Sequence, residues 1–593
     1  MSRRLRKSKY KWATDFEFKI VDGGLPEPLC MACIELNTGK KLLIWRDELL
    51  SMKEPPFPCG DDTLVLAYYA SAEMGCFLAL GWDFPVHLVD LYAEFRNLTN
   101  GLTPPSGSGL PGAMVHFGLD CEGAIAKDAM RKLILSKDEF SADEQRRILE
   151  YCMSDAVACG QLYNKMCDGL AEHSLLRGEY MKAAATVERN GIPIDVESYR
   201  TLVSRWAGIK TDLVGDIDRN FGVYEGTTFK VKRFTDWCRR NHIVWPILAS
   251  GYPRPDDDTF RAMAALHPSL WPLRELRATL SQFRTFKLPV GGDDRNRCLL
   301  SVFSSVTGRN QPSSSKFIFG QSVWVRSLIQ APPGCAVGYI DWEQQEFGVA
   351  AALSGDVAMQ RAYLSGDPYI GFAILASAAP VGATKQSHPV IRERFKVATL
   401  AVQYCMTEQG LAESLGIPTI EARELLELHH RCFPGFWKWS DSAVDYALLN
   451  NHINTVFGWE LHVTATTNLR TLRNYPMQGN GAELMRLACI YGTQRGVKIC
   501  APVHDAFLIE APLDKIDDAI LTMQAAMADA SAAVLGGFRL RSEAKVFRHP
   551  ARFLDPRGTL MWNTVNGLLH PSQYCKEGPG NTASPVSLFI KSI

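Results

Sequence analysis

The sequence predicts a multidomain α/β protein, and three observations carry that expectation. The chain has 593 residues, enough for roughly four units at about 150 residues each. Short apolar runs of buried-strand length, such as Leu64-Val65-Leu66-Ala67-Tyr68-Tyr69 and Val337-Gly338-Tyr339-Ile340, stand between long stretches of helical character. Turn-rich breaks such as Ser250-Gly251-Tyr252-Pro253-Arg254-Pro255 punctuate the chain.

Taken in order, residues 1–165 form a first unit. Its opening strand leads to Asp15-Phe16-Glu17, the run at 64–69 is a buried strand, and a helix around 141–165 closes it. Residues 166–290 read as mainly helical, 291–350 as β-rich, 351–450 as mostly helical, and 451–563 as strand and helix around Asp505. Residues 564–593, rich in Gly, Pro, Ser and Asn, are expected to be a flexible tail. No internal repeat is visible.

Composition excludes several classes. The chain is 46% hydrophobic and 22% charged, ordinary for a soluble globular protein. Lys+Arg and Asp+Glu are equal at 64 each. The net charge therefore points neither to nucleic acid nor away from it, and an enzyme acting on nucleic acid would have to segregate its charges. The sixteen cysteines are scattered. Cys30 and Cys33 make a single CxxC without a second pair at zinc-ribbon spacing, so the thiols read as those of a reduced, cytoplasmic protein. No apolar run is long enough for a transmembrane helix. The basic start, Met1 to Lys9, lacks the apolar region of a signal peptide and reads as a solvated end.

Two aspartates stand out. Asp341 follows Val337-Gly338-Tyr339-Ile340, and Asp505 sits in Pro502-Val503-His504-Asp505-Ala506-Phe507 between two apolar runs. Carboxylates delivered by two strands could hold a pair of divalent metals, which about 3.5–4 Å apart stabilise both oxygens of an in-line phosphoryl displacement. Between them, behind His388-Pro389, Arg392, Lys396, Leu400 and Tyr404 recur every four residues. Proline suits a first helical turn, and this spacing keeps side chains near one face, drifting about 40° per step. The cations and the helix start suit phosphates; the apolar-aromatic end suits sugar and base. Read singly, each has a plainer account: a turn aspartate at Asp505, a solvated Glu346 after Asp341, an amphipathic helix with solvated cations.

A second acidic set lies near the start of the chain. Asp15 and Glu17 alternate on a strand and so share a face. Tyr151 and Asp155, four apart, share a helical face.

Order and spacing give these pieces a common identity. Asp341-Trp342-Glu343-Gln344-Gln345-Glu346 resembles motif A of family A DNA polymerases, Arg392-x3-Lys396-x7-Tyr404 resembles motif B, and Val503-His504-Asp505 resembles motif C. Thr307-Gly308-Arg309, Leu353-Ser354-Gly355-Asp356, Thr455-Val456-Phe457-Gly458 and Arg470-x3-Asn474-Tyr475-Pro476-Met477-Gln478-Gly479 resemble the intervening segments. Val187 to Asp195 resembles the start of the polymerase domain, and the resemblance runs to about residue 563. Asp15-x-Glu17 with Tyr151-x3-Asp155 resembles the DEDDy 3′–5′ exonucleases.

The resemblance implies an RNase H-like exonuclease domain followed by a right hand of thumb, palm and fingers, with primer–template DNA and dNTPs as partners. It divides the chain into exonuclease (1–165), polymerase start and thumb (166–290), palm (291–350 and 451–563) and fingers (351–450). Two Mg²⁺ per active site, with Mn²⁺ as a substitute, would be held on the palm by Asp341, Asp505 and the Trp342 carbonyl. Asp15, Glu17, Glu73 and Asp155 would hold two in the exonuclease, where Tyr151 positions the water. Asp90 is the fallback for Glu73, which stands where the family has Asp. Arg392 and Lys396 would bind the triphosphate, Leu400 and Tyr404 the sugar and base, and Glu346 would exclude ribose. Arg309, Arg470, Asn474 and Gln478 would contact primer or template, and His504 would orient the primer end. The chain resembles a large-fragment-only, phage-type polymerase. It is expected to lack a 5′ nuclease, to work as a monomer with replication accessory proteins, and to reside in the host cytoplasm.

Two departures qualify this. Leu400 replaces the usual Phe or Tyr, which implies slower incorporation and poor use of dideoxynucleotides. Ala506 replaces the usual Glu, so that either activity falls modestly or Glu343 or Glu510 compensates. Alternatives are a weak polymerase dominated by its exonuclease, a single-subunit RNA polymerase relative, which Glu346 disfavours, and a DNA-binding protein with dead sites.

Overall fold

Residues 10–90 build a five-stranded sheet from β1 (Tyr10–Lys19), β2 (Glu27–Glu35), β3 (Lys41–Trp45), β4 (Thr63–Ala67) and β5 (His87–Asp90), in the order β3-β2-β1-β4-β5. The first three strands are antiparallel neighbours, while β4 and β5 run parallel to β1. Parallel pairing needs a crossover, and α1 (Ala70–Leu80) supplies it between β4 and β5. The helix α2 (Leu91–Leu98) starts on Asp90 as its cap. The long α3 (Ala142–Met166) lies across β1 and β2. Its start is set by a capping box, Ser141 with Glu144, and its buried Ile148, Cys152 and Ala156 pack on Leu29, Cys30 and Ala32. This registers Tyr151 and Asp155 against the acidic strand β1. The computed structural model describes residues 8–120, 124–248, 250–282 and 287–569; residues 1–7 of the basic start and the tail from residue 570 lie outside them.

The helix α4 (His173–Asn190) joins this unit to the rest, packing on α1 and β5 and also on the helix Leu469–Gln494 and the strand Lys498–Val503. At that junction the buried Arg177 Nε donates to Glu94 Oε1 at 2.6 Å. Helices Val196–Asp218, Val231–Arg240, Asp257–Leu266 and Trp271–Gln282 follow, gathered around Phe234, Trp237, Trp245 and Phe260.

A second sheet is antiparallel throughout: β6 (Cys335–Trp342), β7 (Lys498–Val503), β8 (Ala506–Pro512) and β9 (Ser542–Arg548), in the order β7-β8-β6-β9. The edge strand β9 alternates half-buried and exposed residues over most of its length. After β6 come α5 (Gln345–Ser354), α6 (Pro368–Leu375) and α7 (Pro389–Gln403), and the long α8 (Leu469–Gln494) returns to the sheet. A final helix, α9 (Pro556–Leu569), packs on the turn at Val323–Leu328, where Trp562 stacks on Trp324.

Two expectations are corrected. Residues 291–350 are not β-rich: before β6 they hold the two-residue strand Arg295–Asn296 and short 3₁₀ turns at Ile318–Gly320 and Val323–Leu328. The segment is rich in Ser, Gly and Pro, and side chains replace ladder partners; Asn296, for example, bonds the backbone of Pro289, Lys316 and Ile318. The flexible tail does not begin at 564, because α9 continues with Val565 and Leu569 buried. Among the described residues every cysteine is free, and no helix is long and apolar enough to cross a membrane.

Candidate functional site

Asp341 lies near the end of the central strand β6, and Asp505 lies in the two-residue turn between β7 and β8. His504 adopts a φ of 55°, the left-handed region that such tight turns use. The turn is pinned where the Trp342 N–H donates to the Asp505 carbonyl at 3.1 Å. The two carboxyl groups lie close enough to act on each other electrostatically. Burial first, and then the charge of Asp505, push the Asp341 carboxyl up to about 7; burial also raises Asp505. Asp341 Oδ1 is buried without a hydrogen-bond partner. Adjacent desolvated carboxylates with an orphaned oxygen suit a divalent cation, and a hard all-oxygen set suits Mg²⁺ or Mn²⁺.

The helix α7 begins with Pro389 at its first position. Arg392 Nε donates to Asp367 Oδ2 at 2.5 Å, and its guanidinium lies 5.3 Å from the Tyr369 ring centre. Lys396 donates to Glu393 Oε1 at 3.1 Å. Both cations are thus held by neighbouring acids. Leu400 is half-buried, and Tyr404 caps the helix. The Tyr404 hydroxyl donates to Glu346 Oε1 at 2.7 Å, and the Gln478 amide reaches the same oxygen. Three elements, α5, α7 and α8, therefore meet at Glu346. Burial raises both Asp505 and Tyr404, and the nearby charge of Arg309 offsets part of that rise at each. Arg470, Asn474 and Gln478, four apart on α8, share one helical face.

Neither acid expected to offset Ala506 is placed to do so. Glu510 lies opposite Val337, bonded to Arg295 at 2.7 Å and Lys498 at 2.6 Å. It is four residues along β8 from Ala506, about 13 Å at strand rise. Glu343 turns to Arg541 Nε at 3.0 Å. The acid beside Asp341 is Glu543, its cross-strand partner on β9. That pairing joins residues far apart in sequence, and no local pattern announces it.

In the first unit, carboxylate oxygens of Asp15, Glu17 and Asp155 lie within 4.8 Å of one another. Glu73, in the first turn of α1, is 4% exposed and stands outside that tightest trio. Its carboxylate accepts from the Phe16 N–H and faces Glu17 and Asp155. Burial, then the charges of Glu73, Glu17 and Asp155, hold Asp15 well above the usual carboxylate range. Burial and Glu17 do the same to Glu73. Asp15 Oδ2 and Glu73 Oε2 are buried without hydrogen-bond partners, so this cluster also fits a cation. Tyr151 hydrogen-bonds Asp155, and burial raises its phenol. The fallback Asp90 is excluded: Oδ1 accepts from the N–H groups of Tyr69, Ala70 and Tyr92 and Oδ2 from that of Ala93. It is a helix cap, not a ligand.

Asp341 and Asp505 thus sit together on one antiparallel sheet, which follows the α/β unit in the chain. Residues 317–546 match the profile for DNA polymerase family A. The chain is 26% identical over 206 residues to DNA polymerase I of Deinococcus radiodurans, covering 32% of this chain and 21% of that protein. To the thermostable DNA polymerase I of Thermus thermophilus it is 28% identical over 217 residues, 34% of this chain and 26% of the relative. The match thus spans about a fifth to a quarter of these relatives' length. With the DNA polymerase of Mycobacterium phage D29 the identity is 24% over 366 residues, 59% of either chain. A solved structure, the POL domain of Pol1 from M. smegmatis in complex with DNA primer-template and dNTP, superposes with a TM-score of 0.70 at 17% identity, covering 92% of this chain and 96% of that one. At that identity the likeness is one of fold.

Proposed function

We propose that the chain is a DNA-directed DNA polymerase that extends a primer 3′ end with dNTPs and edits it with a 3′–5′ exonuclease. The observation that carries the reading is the Asp341–Asp505 pair with its orphaned oxygen, set in a family A sequence. In this reading residues 1–165 are the exonuclease, 166–290 the polymerase start and thumb, 291–350 and 451–569 the palm, and 351–450 the fingers.

Asp341, Asp505 and the Trp342 carbonyl would hold two Mg²⁺ or Mn²⁺ ions, which when bound stabilise the attacking and leaving oxygens of the displacement. Arg392 and Lys396 exchange Asp367 and Glu393 for the triphosphate and offset charge on departing pyrophosphate. Glu346, fixed by Tyr404 and Gln478, crowds the 2′ position and excludes ribose. Leu400 and Tyr404 face the sugar and base. Arg309, Arg470, Asn474 and Gln478 contact the primer–template, sensing shape more than sequence. His504 orients the primer end. In the exonuclease, Asp15, Glu17, Glu73 and Asp155 would hold the metals, and Tyr151 positions the attacking water. The partners are primer–template DNA, dNTPs and replication accessory proteins, and the enzyme works as a cytoplasmic monomer.

Incubation of the chain with a primed single-stranded template, Mg²⁺ and the four dNTPs tests the reading. Extension to the template end, lost in D341N, supports it; no extension by the unaltered chain overturns it.

A further inference from the structure

We propose that Glu543, on the edge strand β9, is a positioning residue of the palm metal site and supplies the carboxylate that Ala506 lacks. The inference rests on the polymerase reading above. Asp341 has one directly opposed neighbour on each side: Ala506 on β8 and Glu543 on β9. Directly opposed residues of antiparallel strands project from the same face, with Cβ atoms about 4.5–5.5 Å apart. A carboxylate is therefore missing on one flank of Asp341 and present on the other.

The surrounding acids are otherwise committed. Glu510 is bonded to Arg295 and Lys498, and Glu343 to Arg541. Glu543 is exposed, and among the described residues it forms no ion pair. The independent sign of a ligand is Asp341 Oδ1, buried with no hydrogen-bond partner. From this edge strand, the Glu543 carboxylate would orient the groups that hold the metal rather than hold it directly. Groups that orient ligands in this way are worth about 10–100-fold in metal affinity. Lys545, two residues on and opposite Tyr339, is the exposed cation on the same face.

The test is Mn²⁺ binding to the full chain, read by electron paramagnetic resonance in a D15A/D155A background that silences the exonuclease cluster. E543Q, E543D, K545Q and D341N are compared, with thermal melts to confirm folding. E543Q is expected to weaken the Asp341-dependent Mn²⁺ site about 10-fold or more, with E543D between E543Q and the parent. The Mg²⁺ needed for half-maximal primer extension should rise by a similar factor. Unchanged binding in E543Q with loss in D341N overturns the role of Glu543 and leaves the polymerase reading standing. A tightening by K545Q as large as the E543Q weakening also overturns it, since a general field would then account for both. Unchanged binding in both E543Q and D341N overturns the polymerase reading and the Glu543 role with it.

Discussion

Tyr404, at the end of α7, donates its hydroxyl hydrogen bond to Glu346 Oε1 at 2.7 Å, joining α7 to the first turn of α5 just after β6. In the proposed reading, this bond holds the glutamate that would exclude ribose. Glu346→Ala should lower discrimination against ribonucleotides by about 10–200-fold, the range for a pocket that gains or loses a small group. Single-nucleotide incorporation of rNTP and dNTP measures it, and unchanged discrimination would remove Glu346 from the sugar pocket.

Leu400 is half-buried on the same helix. Leu400→Phe restores a ring, and an aromatic contact contributes about 0.5–1.5 kcal/mol. Incorporation should quicken by about 2–12-fold in rapid-quench assays. Leu400→Tyr should in addition improve use of dideoxynucleotides.

In the proposed reading, the two carboxylate clusters make stability depend on pH and metal together. Asp341 is raised from 3.8 to about 7, and Asp505, Asp15 and Glu73 are raised as well. The folded chain therefore binds more protons than the unfolded one between these values. In EDTA, stability should fall as pH rises from about 4 through about 7 for the Asp341 contribution. Mg²⁺ competes with those protons, so the rise in Tm that it gives should be larger at pH 8 than at pH 5. Melting curves with and without metal across this range check the sign.

The Arg177–Glu94 pair is buried, with side chains 6% and 4% exposed. Glu94→Ala leaves a buried guanidinium unpaired at the contact between the two units. It should cost about 3–5 kcal/mol in denaturant unfolding, whereas a loss below 1 kcal/mol would mean that water reaches Arg177.

What was legible in the sequence was local. Strand ends at Asp341 and Asp505, the four-residue rhythm of Arg392, Lys396, Leu400 and Tyr404, and the Asp15–Glu17 and Tyr151–Asp155 spacings all report a neighbourhood of a few residues. What was missed depends on pairing across long separations. The register of β9 brings Glu543 to Asp341, Asp367 meets Arg392 across a loop, and Arg295 and Arg541 engage Glu510 and Glu343. Asp90 misleads for a related reason: a cap and a metal ligand are the same residue type until the N–H groups around it are known. Residues 291–334 read as strands, but their side chains satisfy the backbone instead.

The most direct measurement is extension and degradation of a matched and a mismatched primer with Mg²⁺, comparing the unaltered chain, Asp505→Ala and Glu73→Ala. Two separable metal sites predict that Asp505→Ala abolishes extension and keeps trimming, while Glu73→Ala keeps extension and loses trimming. A chain that extends yet never trims the mismatch contradicts the editing site at Glu73, and one that does not extend dNTPs at all contradicts the polymerase.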